Sequence, residues 1–183
     1  MLQKLIRTPS PILRLLARPP MKIDGQRMHP RSQLFIEAAD RRGISLLSMP
    51  PKEFRAYMDK MRKRGPKHLK LCPTEDRTLQ LEDAEIPIRI YRPSRPNGFT
   101  MVYFHGGGYI ICCIESHETA CQQLAHHSAT TVISVEYRLA PEHPFPTPLN
   151  DGINSYLKIR ELAEELGIDR HRMIVGGDSA GAN

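Results

Sequence analysis

Apolar residues recur along this chain with two different periods, and the change of period divides it. Before residue 70 the spacing is helical: Leu34, Phe35 and Ala38 share one face of a segment opened by Pro30, and Phe54, Met58 and Met61 recur at helical intervals after Pro51. A turn through Gly65 and Pro66 leads to the run from Leu79 to Tyr91, where Ile86, Ile88 and Ile90 alternate with other residues as in a strand. Pro87 inside that run predicts an edge strand, because proline cannot donate to a ladder. From Phe99 onward short apolar runs alternate with helical patterns. Strands are expected at Met101 to Phe104, Thr131 to Tyr137 and Met173 to Val175, and helices at His117 to Ser128 and Leu149 to Leu166. A continuous apolar run such as Val132, Ile133 and Val135, with helices between such runs, predicts a parallel sheet covered on both faces. Pro141 to Pro148 reads as a rigid loop.

Charge follows the same division. Residues 1 to 70 hold 17 Lys/Arg against 5 Asp/Glu, and residues 71 to 183 hold 9 against 15. A basic first third could serve nucleic acid, but its charges are scattered among apolar residues and are not interleaved with stacking aromatics, so solvated helix faces explain them and no nucleic-acid partner is expected. Lys4, Arg7, Arg14 and Arg18 with no acid faintly resemble a transit peptide, yet the apolar core of a secretory signal is missing. No stretch approaches the roughly 18 apolar residues of a membrane span, so a cytoplasmic location is the default expectation. Cys72, Cys112, Cys113 and Cys121 contain no C-x-x-C, which argues against a zinc site or disulfide framework and for reduced thiols.

Two motifs carry chemistry. Gly177-Asp178-Ser179-Ala180-Gly181 fits G-x-S-x-G and falls where the last expected strand turns into a helix, which is the context that motif needs. Such a turn strains the serine backbone and leaves no room for bulk two residues to either side. His105-Gly106-Gly107-Gly108 follows the strand ending at Phe104. Acyl transfer through a serine builds negative charge on a carbonyl oxygen, and consecutive glycines give backbone N–H groups unobstructed access to it. The same glycines could cradle a phosphate, but no Lys-Ser/Thr pair follows and G-x-G-x-x-G is not completed. Ser179 could equally be a helix N-cap. Both bland readings must hold together, in the right order and strand contexts, to dispose of the pair.

With the run Tyr-Arg-Leu-Ala-Pro-Glu-His-Pro-Phe-Pro from Tyr137 to Pro146, these motifs resemble the hormone-sensitive-lipase-like esterases, a branch of the α/β hydrolases. The resemblance implies an α/β-hydrolase fold with a helical cap drawn partly from residues 1–70, over an incomplete catalytic domain in residues 71–183. It implies a serine carboxylesterase or lipase-type hydrolase acting on small carboxylic esters with short acyl chains, and no metal or organic cofactor. Ser179 becomes the nucleophile, Gly107, Gly108 and Ala180 the oxyanion donors, Gly106 the residue that lets their loop turn, and His105 the residue that orients the loop. Glu142 and His143 belong to a structural stretch, and Asp178 is a poor triad acid because neighbours on a tight turn point apart. The family usually has glycine where Cys112 and Ala182 stand here; a side chain at Cys112 could narrow the acyl pocket or shift the glycine loop.

The resemblance also implies a triad acid and then a histidine after the serine, whereas Asn183 is four residues beyond Ser179. The chain is therefore expected to be a fragment or truncated product with little activity alone, since losing triad members leaves about 10³ to 10⁴ over water. Two alternatives are a receptor-like ligand-binding protein on the same fold and a nonfunctional truncated product.

Overall fold

A computed structural model describes residues 8–16, 19–40, 49–64 and 70–183. Lys4, Arg7, Arg18 and the Gly65-Pro66 turn lie outside the described residues, as do the side chains of Arg14, Phe35 and Ala38. The chain divides into two compact units, Met1–Met49 and Pro50–Asn183.

In the first unit, helix α1 (Ser10–Leu16) precedes a two-stranded ribbon, β1 (Lys22–Ile23) and β2 (Gln26–Arg27), and helix α2 (Pro30–Asp40) follows. Asp24 and Gly25 turn the ribbon with φ of 49° and 77°, the doubly left-handed geometry whose twist suits a two-residue hairpin. Strands of two residues are too short to show alternation, so the sequence pattern did not reveal them. The buried Gln33 side chain accepts from the Met21 N–H and donates to the Pro19 carbonyl, tying α2 to the segment before it.

The second unit comprises α3 (Pro51–Arg64), β3 (Thr74–Gln80), β4 (Glu85–Tyr91), β5 (Thr100–Phe104), α4 (Ile114–Ser128), β6 (Thr131–Val135), α5 (Thr147–Glu161), β7 (Met173–Gly177) and a 3₁₀ turn at Ser179–Ala182. Its sheet has the order β3-β4-β6-β5-β7. β6, β5 and β7 are parallel, as their intervening helices require, while β3 and β4 join antiparallel and make the sheet mixed.

The hairpin corrects the single strand expected from Leu79 to Tyr91. Leu79 is the one buried residue of β3, so that strand has almost no apolar signature. Pro87 also lies in an interior strand, because β4 pairs with β3 on one side and β6 on the other. The fold tolerates it because the Pro87 carbonyl accepts from the Glu136 N–H, just beyond the last β4–β6 pair, Ile88 with Val135. The nitrogen of a strand residue faces the same side as its carbonyl, so the missing donor falls where β6 has ended.

Alternation along β5 and β6 serves both faces. Val102, Ile133 and Val135 pack with Ile86, Ile88, Ile90 and Ile159 of α5, with Phe104 against them. Tyr103 and Val132 pack with Tyr91 and with Cys121 and Ala125 of α4. Every residue of β6 is buried, as befits a strand covered on both sides. α5 starts at Thr147 within the expected proline loop, because Pro148 occupies its first turn, where its missing N–H has no helical partner to lose.

Candidate active site

The site lies where β5 and β7 end side by side. Phe104 pairs with Gly177, so the glycine run after β5 and the serine turn after β7 emerge from adjacent positions. Ser179 has φ of 51°, a left-handed conformation costly for a residue with a Cβ. The turn is closed by the Gly181 N–H donating to the Asp178 carbonyl at 2.9 Å. A Cβ on Gly177 would overlap the Gly181 carbonyl and come within 2.6 Å of the Phe104 oxygen; one on Gly181 would overlap the Phe104 oxygen. These contacts give the physical reason for both glycines of G-x-S-x-G.

Asp178 ties the two loops together. Its Oδ1 accepts from the Tyr103 hydroxyl at 2.7 Å and from the Gly106 N–H at 2.9 Å, and His117 Nε2 lies 3.3 Å away. Burial pushes this carboxyl up, but those two hydrogen bonds and the His117 contact outweigh it and leave it below the ordinary aspartate range. Gly106 thus spends its N–H on Asp178, and a Cβ there would overlap the carboxylate. Its role in the loop is close approach and turning. Gly107 and Gly108 have φ of 125° and 61°, and their N–H groups have no hydrogen-bond partner among the described residues.

His105 is fully buried between the rings of Tyr137, at 4.4 Å, and His117, at 5.5 Å. Its Nδ1 lies 2.8 Å from the Gly106 carbonyl; a carbonyl only accepts, so Nδ1 carries the proton. Burial holds the imidazole below its usual pKa, and the Tyr137 hydroxyl donates to the His105 carbonyl. The ring is a fixed strut of the loop. Arg138 next to Tyr137 forks onto the buried Asp151 of α5 at 2.7 and 2.9 Å, which anchors the Tyr137 to Pro146 stretch to the sheet's helical cover. Glu142 of that stretch is ion-paired with Arg55, which holds its carboxyl below the usual range.

Cys112 has φ of 75°, the left-handed region in which glycine is unstrained. A Cβ on Gly107 would come within 3.1 Å of the Cys112 Cβ, so the Cys112 side chain lies beside the glycine loop. Cys112 and Cys113 line a cavity of about 550 Å³ with Met58 and Met61 of α3, Leu139 and Glu136. Glu136 accepts from the Ile114 N–H at the start of α4, and burial pushes its carboxyl up to about 7. Ala180, Gly181 and Ala182 line a second cavity of about 530 Å³ with Tyr109, Tyr137 and the apolar face of α5. Ala182 ends the 3₁₀ turn. Among the described residues there is no group of three metal-ligating side chains, no hydrogen bond to the Ser179 hydroxyl, and no helix long and apolar enough to cross a membrane.

Sequence reading singled out Ser179, Ala180, His105 and the three glycines, and the structure brings them to one end of the sheet. It missed Asp178 as the link between loops, Tyr103 and His117 as the partners of Asp178, and Tyr137 and Arg55 as supports of the glycine loop. Alternation in β5 puts Tyr103 on the α4 face, a signal that was available; the partners of Arg55 lie 55 and 87 residues away and left none.

Residues 101–183 match the family described as the α/β hydrolase fold. The chain is 33% identical over 181 residues to the carboxylic ester hydrolase LipN of Mycobacterium tuberculosis, covering 96% of this chain and 48% of that protein. It is 45% identical over 111 residues to an arylesterase of Saccharolobus solfataricus, covering 60% and 36%. A solved ester hydrolase from the Lake Arreo metagenome, complexed with a phosphonate derivative, superposes with a TM-score of 0.74 at 41% identity, over 82% of this chain and 50% of that one. The chain spans half or less of the length of these relatives.

Two outcomes are expected. Cys112→Gly relieves a left-handed strain of about 1–2 kcal/mol and loses about 0.4–1 kcal/mol to the freer unfolded chain, so urea denaturation should show stability equal to the parent or slightly higher. A loss above ~1 kcal/mol would mean the Cys112 side chain is a packing element. Glu136 binds its proton more tightly folded than unfolded, so its contribution is greatest below the unfolded carboxyl pKa and declines as pH rises towards about 7. Glu136→Gln should therefore flatten the fall in stability between pH 5 and 7.5 by up to about 3 kcal/mol; an unchanged slope counts against the assignment.

Proposed function

We propose that this chain belongs to the hormone-sensitive-lipase-like branch of the α/β hydrolases, that the whole protein is a serine carboxylesterase and that Ser179 is its nucleophile; the family match over residues 101–183 and the likeness to carboxylic ester hydrolases support this reading. The observation that carries this reading is the pairing of a left-handed Ser179 with a glycine loop whose Gly107 and Gly108 N–H groups are unspent. In the reaction the Ser179 Oγ attacks the ester carbonyl and its proton passes to a base. The carbonyl oxygen becomes an oxyanion held by the N–H groups of Gly107, Gly108 and Ala180. Collapse expels the alcohol, which takes up the proton, and water repeats the sequence on the acyl-serine to release the acid.

The base and its orienting carboxylate belong, on this reading, to the length that the relatives have in addition. Ile153, Leu157 and Val175 are 51%, 54% and 62% exposed along α5 and β7, an apolar face suited to being covered by that additional part of the sheet. Residues 71–183 then form the first half of the catalytic domain, and helices before residue 70 contribute to a cap. Small carboxylic esters with short acyl chains are the substrate class.

A fluorophosphonate probe applied to the whole protein should label Ser179, identified by peptide mass, and Ser179→Ala should abolish both labelling and turnover of p-nitrophenyl butyrate. Labelling at another serine, or turnover surviving in Ser179→Ala, contradicts the assignment.

A further inference from the structure

Arg55 projects from α3 and its guanidinium meets acceptors on two other segments. Nε donates to the Ile110 carbonyl at 2.6 Å, Nη1 and Nη2 donate to the two Glu142 carboxylate oxygens at 3.0 and 2.9 Å, and Nη2 also donates to the Ala140 carbonyl. Ile110 belongs to the turn begun by Gly107: the N–H groups of Ile110 and Ile111 both return to the Gly107 carbonyl, at 3.1 and 3.0 Å. Ala140 belongs to the neighbouring stretch, and its N–H donates to the Tyr109 carbonyl at 2.8 Å. One side chain therefore fastens both the glycine turn and the stretch that backs it.

The chemistry of the contact requires arginine. A guanidinium holds its donors in a rigid planar fork, so it can serve a bidentate carboxylate and two carbonyls in fixed directions, and each bond is charge-assisted. An ammonium at the same place could pair with Glu142 but could not span the set. The Glu142 half of the clamp is half exposed and contributes little by itself. The carbonyl half restrains the loop, because it fixes the backbone within three residues of Gly107. α3 also carries Met58 and Met61 into the cavity lined by Cys112 and Cys113, so the seating of this helix and the shape of the loop meet at one place.

We propose that Arg55 is a positioning residue that makes the geometry of the Gly107 and Gly108 N–H donors depend on how α3 is seated. This rests on the reading of those N–H groups as the oxyanion donors. α3 then acts on the site through a hydrogen-bonded link, and a displacement of the helix loosens the donors before it exposes the sheet.

Hydrogen exchange and kinetics in the whole protein test the link together. In Arg55→Met the Ile111 and Ala140 amides should exchange about tenfold faster, with the β6 amides unchanged. Arg55→Lys should behave similarly, which covers the case in which Arg55→Met fails to fold, while Glu142→Gln should shift those amides less than either. With p-nitrophenyl butyrate, kcat per fluorophosphonate-titrated serine should fall about tenfold with KM within about twofold, since only transition-state stabilisation is lost. Unchanged exchange at Ile111 and Ala140 overturns the proposal, and so does faster exchange with unchanged kcat per titrated site. If Ser179→Ala retains turnover, the esterase reading fails while the exchange result still reports whether Arg55 orders the loop.

Discussion

Phe104 and Gly177 stand opposite each other at the carboxyl ends of two parallel strands, and Gly177 and Gly181 of the serine turn pack directly on the Phe104 carbonyl. The carbonyl oxygen of Phe104 lies where a Cβ of Gly177 or Gly181 would have to go, so backbone packs on backbone between the serine turn and the glycine loop. Close packing of this kind sets the position of Ser179 relative to Gly107 and Gly108 more tightly than side chains could. The left-handed φ of Ser179 follows, because the chain must reverse within a few residues to clear that contact.

Electrostatics then hold what packing has placed. Asp178 collects the Tyr103 hydroxyl, the Gly106 N–H and the His117 ring, so a residue of the serine turn satisfies a donor of the glycine loop. Behind it, His105 is locked as a neutral ring between Tyr137 and His117. Gly106 is satisfied internally, whereas the N–H groups of Gly107 and Gly108 are unspent. A preorganised pair of donors costs no reorganisation when charge appears, which gives such a loop its catalytic value.

The alternating strands and helices after Phe99 were legible because β5 and β6 are buried on both faces and must be apolar, and the helices between them must be amphipathic. β3 escaped notice because Leu79 is its one buried residue, and Asp76 finds its partner Arg89 only across the hairpin. Pro87 misled for a local reason: its cost depends on where β6 stops, which no residue near Pro87 reveals. The motif residues could be read directly, since Gly177, Gly181 and Ser179 are fixed by backbone geometry that few other residues satisfy. Most of their supports could not, because Asp178, His117 and Arg55 act through contacts created only by the fold.

On the proposed reading, Ser179 and the Gly107, Gly108 and Ala180 N–H groups form one acyl-transfer centre. A crystal structure of the whole protein carrying a covalent phosphonate tests it most directly. Phosphorus should be bonded to the Ser179 Oγ and a phosphoryl oxygen should lie within hydrogen-bonding distance of those N–H groups, with the Gly106 N–H still on Asp178. A phosphoryl oxygen turned away from the glycine loop, or an adduct on another residue, would contradict it.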